Sequence, residues 1–197
     1  MLNLRSTGHA PAKIGVCSRG FLMCAWSLHH LRRQWYLGSS HTAKKGIIML
    51  KGFAHLFERT KEHVAEIRNI KTTGFVDTVG LSCVYNRAVQ LCALDAVLAQ
   101  HRVDFGTRYN DLKGVAALHH KLLMKYKWPL SEIRSLTLSD AVLALHDELK
   151  IESLPAEASR MLTAISLNHD LVVFPDLLDA EWDPSFADKL LYNSEGR

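Results

Sequence analysis

The sequence predicts an all-α fold, a compact bundle of about five to six helices with an unstructured N-terminal leader and an irregular acidic C-terminal segment. Three observations carry that expectation. Apolar residues recur at helical spacing between Met49 and Leu167, Gly74, Trp128-Pro129 and Leu154-Pro155 punctuate the runs, and one run, Val89 to Ala99, is apolar nearly all round. The predicted divisions are 1–48, a leader; 49–167, a helical domain; and 168–197, an acidic aromatic segment packed on or extending from it.

Residues 1–48 hold seven Lys or Arg and no acid, whereas the remainder carries a net −3, so the formal +4 of the chain averages two unlike parts. An acid-free, Arg- and Ser-containing start fits a transit peptide, and Gly20 to Leu28 resembles a short signal-peptide core, but His29, His30, Arg32 and Arg33 follow where a small-residue cleavage site belongs. A third reading fits better. Lys44-Lys45-Gly46 must be encoded AAR-AAR-GGN, a purine run ending in GG two codons before Met49, as in a bacterial ribosome-binding site ahead of a start codon. Residues 1–48 are therefore expected to be non-native upstream leader.

From Met49 to about Ile70, Phe53, Leu56, Phe57, Val64 and Ile67 form one stripe, predicting an amphipathic first helix. A second helix is expected from about Gly80 to His101; being apolar on all sides, it belongs at the centre, with Asp95 bridging or capping inside the core. Asn110 or Asp111 can cap a third helix through Tyr126, with Leu112, Val115, Ala116, His119, Leu122 and Tyr126 inward. Trp128-Pro129 ends it, since the residue before proline leaves the helical region, and Pro129 starts a short helix to Leu136. Thr137 and Asp140 make a T-x-x-D capping signal for a helix burying Ala141, Val142, Leu145 and Leu149. Leu154-Pro155 opens the last helix, to about Leu167.

The stretch from His119 through Trp128-Pro129-Leu130-Ser131-Glu132-Ile133-Arg134-Ser135-Leu136-Thr137-Leu138-Ser139-Asp140-Ala141 resembles a family of small, uncharacterised proteins encoded by enterobacterial prophages, with similarity across most of Met49 to Leu167. The resemblance implies a bacterial cytoplasm and a mobile-element context, and supplies no catalytic residues. The core W-P-x-x-E-I-x-x-L-T-L-x-D-A is also similar to the helix pair of some phage tail-assembly chaperones.

Chemistry is sparsely signalled. Cys17, Cys24, Cys83 and Cys92 lack metal-ligand spacing; nine residues of helix put the last two on opposite faces, so reduced thiols are expected. The helix pair meeting at Leu136 to Leu138 invites a helix-turn-helix reading, but Asp140, Asp147 and Glu148 outnumber Lys150 on the second helix and oppose a phosphate field. His119 or His120, His146-Asp147 and Asp170 follow the H…HD…D order of helical metal phosphohydrolases, a weak alternative because a polar helix face explains His146 and Asp147. No G-x-S-x-G, P-loop or G-x-G-x-x-G is present.

Residues 168–197 carry seven acids against Lys189 and Arg197, interleaved with aromatics. Such a segment can anchor on a basic partner by its rings while its carboxylates steer. The expected contact residues are Phe174, Asp176, Asp179, Glu181, Trp182, Asp183, Phe186 and Tyr192, with Trp128, Pro129, Thr137 and Asp140 shaping the scaffold. The expected function is a non-enzymatic protein that binds and modulates a phage or host protein, without cofactor, metal or membrane. The alternatives are a small nucleic-acid-contacting regulator and a tail-assembly chaperone-like protein.

Overall fold

The computed structural model describes residues 41–167 and 169–192, with side chains from residue 52 onward, all within one unit, Ser39–Arg197. Seven α-helices and no strand occur among the described residues: α1 (His41–Ile67), α2 (Thr78–Phe105), α3 (Val115–Tyr126), α4 (Leu130–Ser135), α5 (Leu138–Ala144), α6 (Ala156–Ser166) and the single turn α7 (Pro184–Ala187), which continues as one π-helical turn, Asp188–Tyr192. The fold is all-α, as the apolar periodicity predicts. No described helix is long and apolar enough to cross a membrane.

The organising element is α2. Asp77 caps it, its carboxylate accepting the Val79 N–H, and Ala88, Leu91, Cys92, Leu94 and Ala96 are fully buried. A helix apolar on all sides needs neighbours on all sides. One cluster joins α2 to Phe53, Leu56 and Phe57 of α1, Ala158 and Leu162 of α6, and Ala187 and Leu191 at the C-terminal end. The other joins it to Val64, Leu118, Leu122, Ile133, Leu138 and Leu145. Each fully buried leucine contributes about 1.5–3 kcal/mol relative to exposure. Cys83 and Cys92 are buried free thiols, as expected; Cys17 and Cys24 lie outside the described residues.

Helix boundaries depart from expectation where composition stood in for stereochemistry. Residues 1–40 of the expected leader lie outside the described residues, but α1 starts at His41 and passes through Met49 unbroken. Charge and codon usage, which placed the boundary, do not stop a helix. Ile67, expected inside, is exposed at the last turn, and Ile70 packs in its place. Neither Asn110 nor Asp111 caps α3: the Asn110 N–H turns back to the Thr107 hydroxyl, Asp111 is taken by Arg102, and α3 starts after Gly114 at φ 52°. Its buried face is Ala117, Leu118 and Leu122, leaving Val115 exposed.

The signals that end α3 and start α5 are realised closely. Lys127, in the left-handed region at φ 58°, closes α3 immediately before Trp128-Pro129, and Tyr126 and Trp128 stack with centroids 4.5 Å apart. Thr137 caps α5, accepting the Asp140 N–H at 3.1 Å while donating its hydroxyl proton to the Asp140 carboxylate at 2.7 Å. Residues beyond Ala144 form turns instead of the expected longer helix, with Lys125 pairing to Asp147 and Lys121 to Glu148.

Candidate functional site

The acidic aromatic segment folds back on the helices, and the chain's own arginines receive it. Residues 49–167 carry a net +2 against −5 for residues 168–197, so the two parts attract. Glu181, on a 3₁₀ turn at Asp179–Glu181, is 0% exposed. One of its oxygens accepts from Arg68 Nε; the other lies 3.2 Å from Arg87 Nε, off the axis of that N–H, so it is ion-paired without being hydrogen-bonded. Arg68 also donates to the Asp176 carboxylate and backbone oxygen, each at 3.0 Å, and its guanidinium lies 4.5 Å from the Phe174 ring centre. Arg87 donates to the carbonyls of Phe174 and Asp176 and to Gln90. Burial pulls the Arg87 guanidinium below its ordinary value, while Glu181 pulls it back up.

Further anchors hold the segment. The Trp182 indole N–H donates to Asp95 at 3.0 Å, so the buried Asp95 does bridge within the core. Burial pushes the Asp95 carboxyl up to about 7; the indole hydrogen bond opposes this and the charges of Asp188 and Asp183 add to it. Beside it is a cavity of about 20 Å³, room for roughly one water, bordered by Arg102, Asp188 and Tyr192. Arg102 lies 3.6 Å from the Tyr192 ring centre and pairs with Asp188 and Asp111. Phe186 meets the His63 ring edge-on at 5.4 Å, and Arg59 lies over it. The last turn lies so close to α1 that a Cβ at Gly52 would sit 2.5 Å from the Leu190 carbonyl oxygen.

The eight expected contact residues therefore have different fates. Glu181 is corrected: complete burial between two arginines removes it from any contact surface in this fold. Phe174, Trp182, Phe186 and Tyr192 are half-buried against the domain, and Asp183 caps α7 through the Ser185 N–H. Asp176 and Asp179 are exposed, although Asp179 accepts the Leu138 N–H at 2.7 Å. The missed partners are Arg87 and Arg102, which flank the apolar run of α2. A cation beside a helix that must be buried all round is a signal for an internal carboxylate.

The H…HD…D residues do not converge. His120 Nδ1 is 2.8 Å from His101 Nε2, and burial lowers His101 to about 4, with Lys121 and His120 adding to the effect. Asp147 pairs with Lys125, and the Asp170 carbonyl is bound by Asn86. His119 and His146 line separate grooves. No group of three or more His, Cys, Asp or Glu that could hold a metal occurs among the described residues. The exposed positions of α5 include Ser139, Asp140 and Leu143, with no cation to meet phosphate.

Two grooves remain open. The first, about 300 Å³, lies between α3, α4, α5 and Trp182. The second, about 380 Å³, is bounded by α2, by α5 and by residues 173–177. There Asn86 uses both protons of its amide to hold the carbonyls of Asp170 (2.8 Å) and Val172 (2.7 Å). That hold keeps the neighbouring chain on the surface of α2, yet Leu171 and Val173 remain 92% and 63% exposed, and Leu143, across the groove from Val173, is 73% exposed. No family model, curated protein or solved structure matches the chain.

Proposed function

We propose that the chain is a non-enzymatic, prophage-encoded cytoplasmic protein that binds and modulates a phage or host protein, engaging it through the groove between α5 and residues 173–177. The observation that supports this most is the pair of exposed apolar side chains, Leu143 and Val173, lining a groove beside a backbone already pinned by Asn86. Apolar side chains gathered at one concave place on a surface mark contact sites more often than scattered ones do. A pinned backbone reduces the ordering cost of association. Asp176, at the same groove, has its carboxylate paired with Arg68, so the rim there is polar and fixed in place. The contact surface proposed here thus keeps Phe174 and Asp176 of the acidic segment and adds Leu143, which the spacing of α5 left unassigned.

Affinity capture from induced cells tests this reading, comparing the parent with a Leu143→Asp, Val173→Asp double variant. Both positions are exposed, so thermal stability should change by no more than about 0.5 kcal/mol per site. Retention of the partner should fall at least tenfold. A partner held equally by the double variant, or the absence of any partner, defeats the proposal.

A further inference from the structure

We infer that the groove between α3, α4 and α5 is a binding site for a small amphipathic carboxylate, its acid group paired with Arg134 and its hydrocarbon body laid along Val115, Leu136 and the face of Trp182. This stands apart from the protein-binding reading, which uses the other groove. Leu118, Leu122, Ile133 and Leu138 form the buried floor, and the apolar surface left around the groove of about 300 Å³ comes from exposed Val115 and half-buried Leu136, Trp182 and Pro184. That volume is at the lower end for small-molecule sites and holds roughly ten water-sized groups, enough for a chain of about eight carbons and too little for a helix or strand.

The polar groups at this groove decide the chemistry of the occupant. Trp182 has committed its N–H to Asp95 and presents ring surface, while the Thr137 hydroxyl donates to Asp140. Arg134 and His119 are the donors left over: among the described residues neither has a hydrogen-bond or carboxylate partner. They share the rim, and burial, with the charge of Arg134 adding to it, lowers His119. An exposed, uncommitted guanidinium beside an apolar slot matches the forked geometry of a carboxylate. Asp179, on the groove wall and already accepting the Leu138 N–H, opposes additional negative charge and so disfavours dianions such as phosphate monoesters.

Octanoate is the direct probe, titrated calorimetrically into the full chain with octanol as its uncharged counterpart, while NMR follows the His119 ring and the Trp182 indole. The expected result is one saturable site per chain with both signals shifting, and binding at least tenfold weaker for octanol and for Arg134→Gln. Arg134 is exposed and unpaired, so this variant keeps its fold. Absence of saturable octanoate binding, unchanged affinity in Arg134→Gln, or shifts confined to other residues would overturn the assignment. Tighter binding of a short peptide through its C-terminal carboxylate would overturn the small-ligand identity and assign the groove to a protein end.

Discussion

Replacing Glu181 by alanine is expected to cost about 3–5 kcal/mol of stability, the largest effect of any single surface-to-core contact in the C-terminal segment. The magnitude follows from what remains. Arg87 is only 5% exposed, and without Glu181 its charge keeps neutral carbonyls and Gln90 but no ion-paired carboxylate, because Asp176, which also acts on it, is paired with Arg68. An arginine cannot escape by losing its proton, so the unpaired charge must be rehydrated, which means lifting residues 174–182 from α2. Arg68 fares better because Asp176 stays within reach. Urea denaturation should show the loss as a lower midpoint, and thermal unfolding as a drop of roughly 10 °C. Glu181→Gln, which keeps the shape and an acceptor, should lose less. A Glu181→Ala protein within about 1 kcal/mol of the parent would mean that the buried pair is not formed.

Asp95→Asn is expected to do the opposite and stabilise the protein at pH 8, by about 1–3 kcal/mol. Asn keeps the oxygen that accepts the Trp182 indole N–H and removes a buried charge. The sign follows from the proton count. Burial raises the Asp95 carboxyl from 3.8 in the unfolded chain to about 7 in the fold, so between roughly pH 4 and 7 the folded state holds the extra proton. Stability from this group therefore falls as pH rises through that window and stays low above it. His101 works against it: lowered from 6.5 to about 4, it binds its proton more readily in the unfolded chain, and its contribution rises with pH across much of the same interval. The parent profile should thus be flat there, and Asp95→Asn should expose the rising limb of His101. Chemical denaturation at pH 5 and pH 8 checks both statements. Lower stability of Asp95→Asn at pH 8 would show that the ionised carboxylate is favoured in place.

Local chemistry made much of the fold readable. Apolar spacing identified α1, α2 and α6, the all-round apolarity of α2 put it at the centre, and Thr137 with Asp140 marked the start of α5 because a cap is a contact between near neighbours. Long-range pairing was not readable in that way. Asp111 has the chemistry of a cap, and only the position of Arg102 nine residues away in sequence diverts it. The acidic aromatic segment looked like a free contact surface because its partners, Arg68, Arg87 and Arg102, are 86 to 113 residues upstream of the acids they meet in it. Charge complementarity between the segment and residues 49–167 was in the sequence; which carboxylate would be buried was a matter of packing. Both open grooves are likewise products of how helices meet, and periodicity within one helix carries no such information.

The most direct measurement of whether the C-terminal segment is part of the core is native-state hydrogen exchange. The Glu181, Trp182 and Phe186 amides donate to the carbonyls of Leu178, Asp179 and Asp183, and the Trp182 indole donates to Asp95. If residues 178–192 belong to the cooperative unit, these protons exchange only through global unfolding, as slowly as the Leu94 amide of α2. Exchange at unfolded-chain rates while Leu94 stays protected would contradict it, and would return the segment to the role of a free arm.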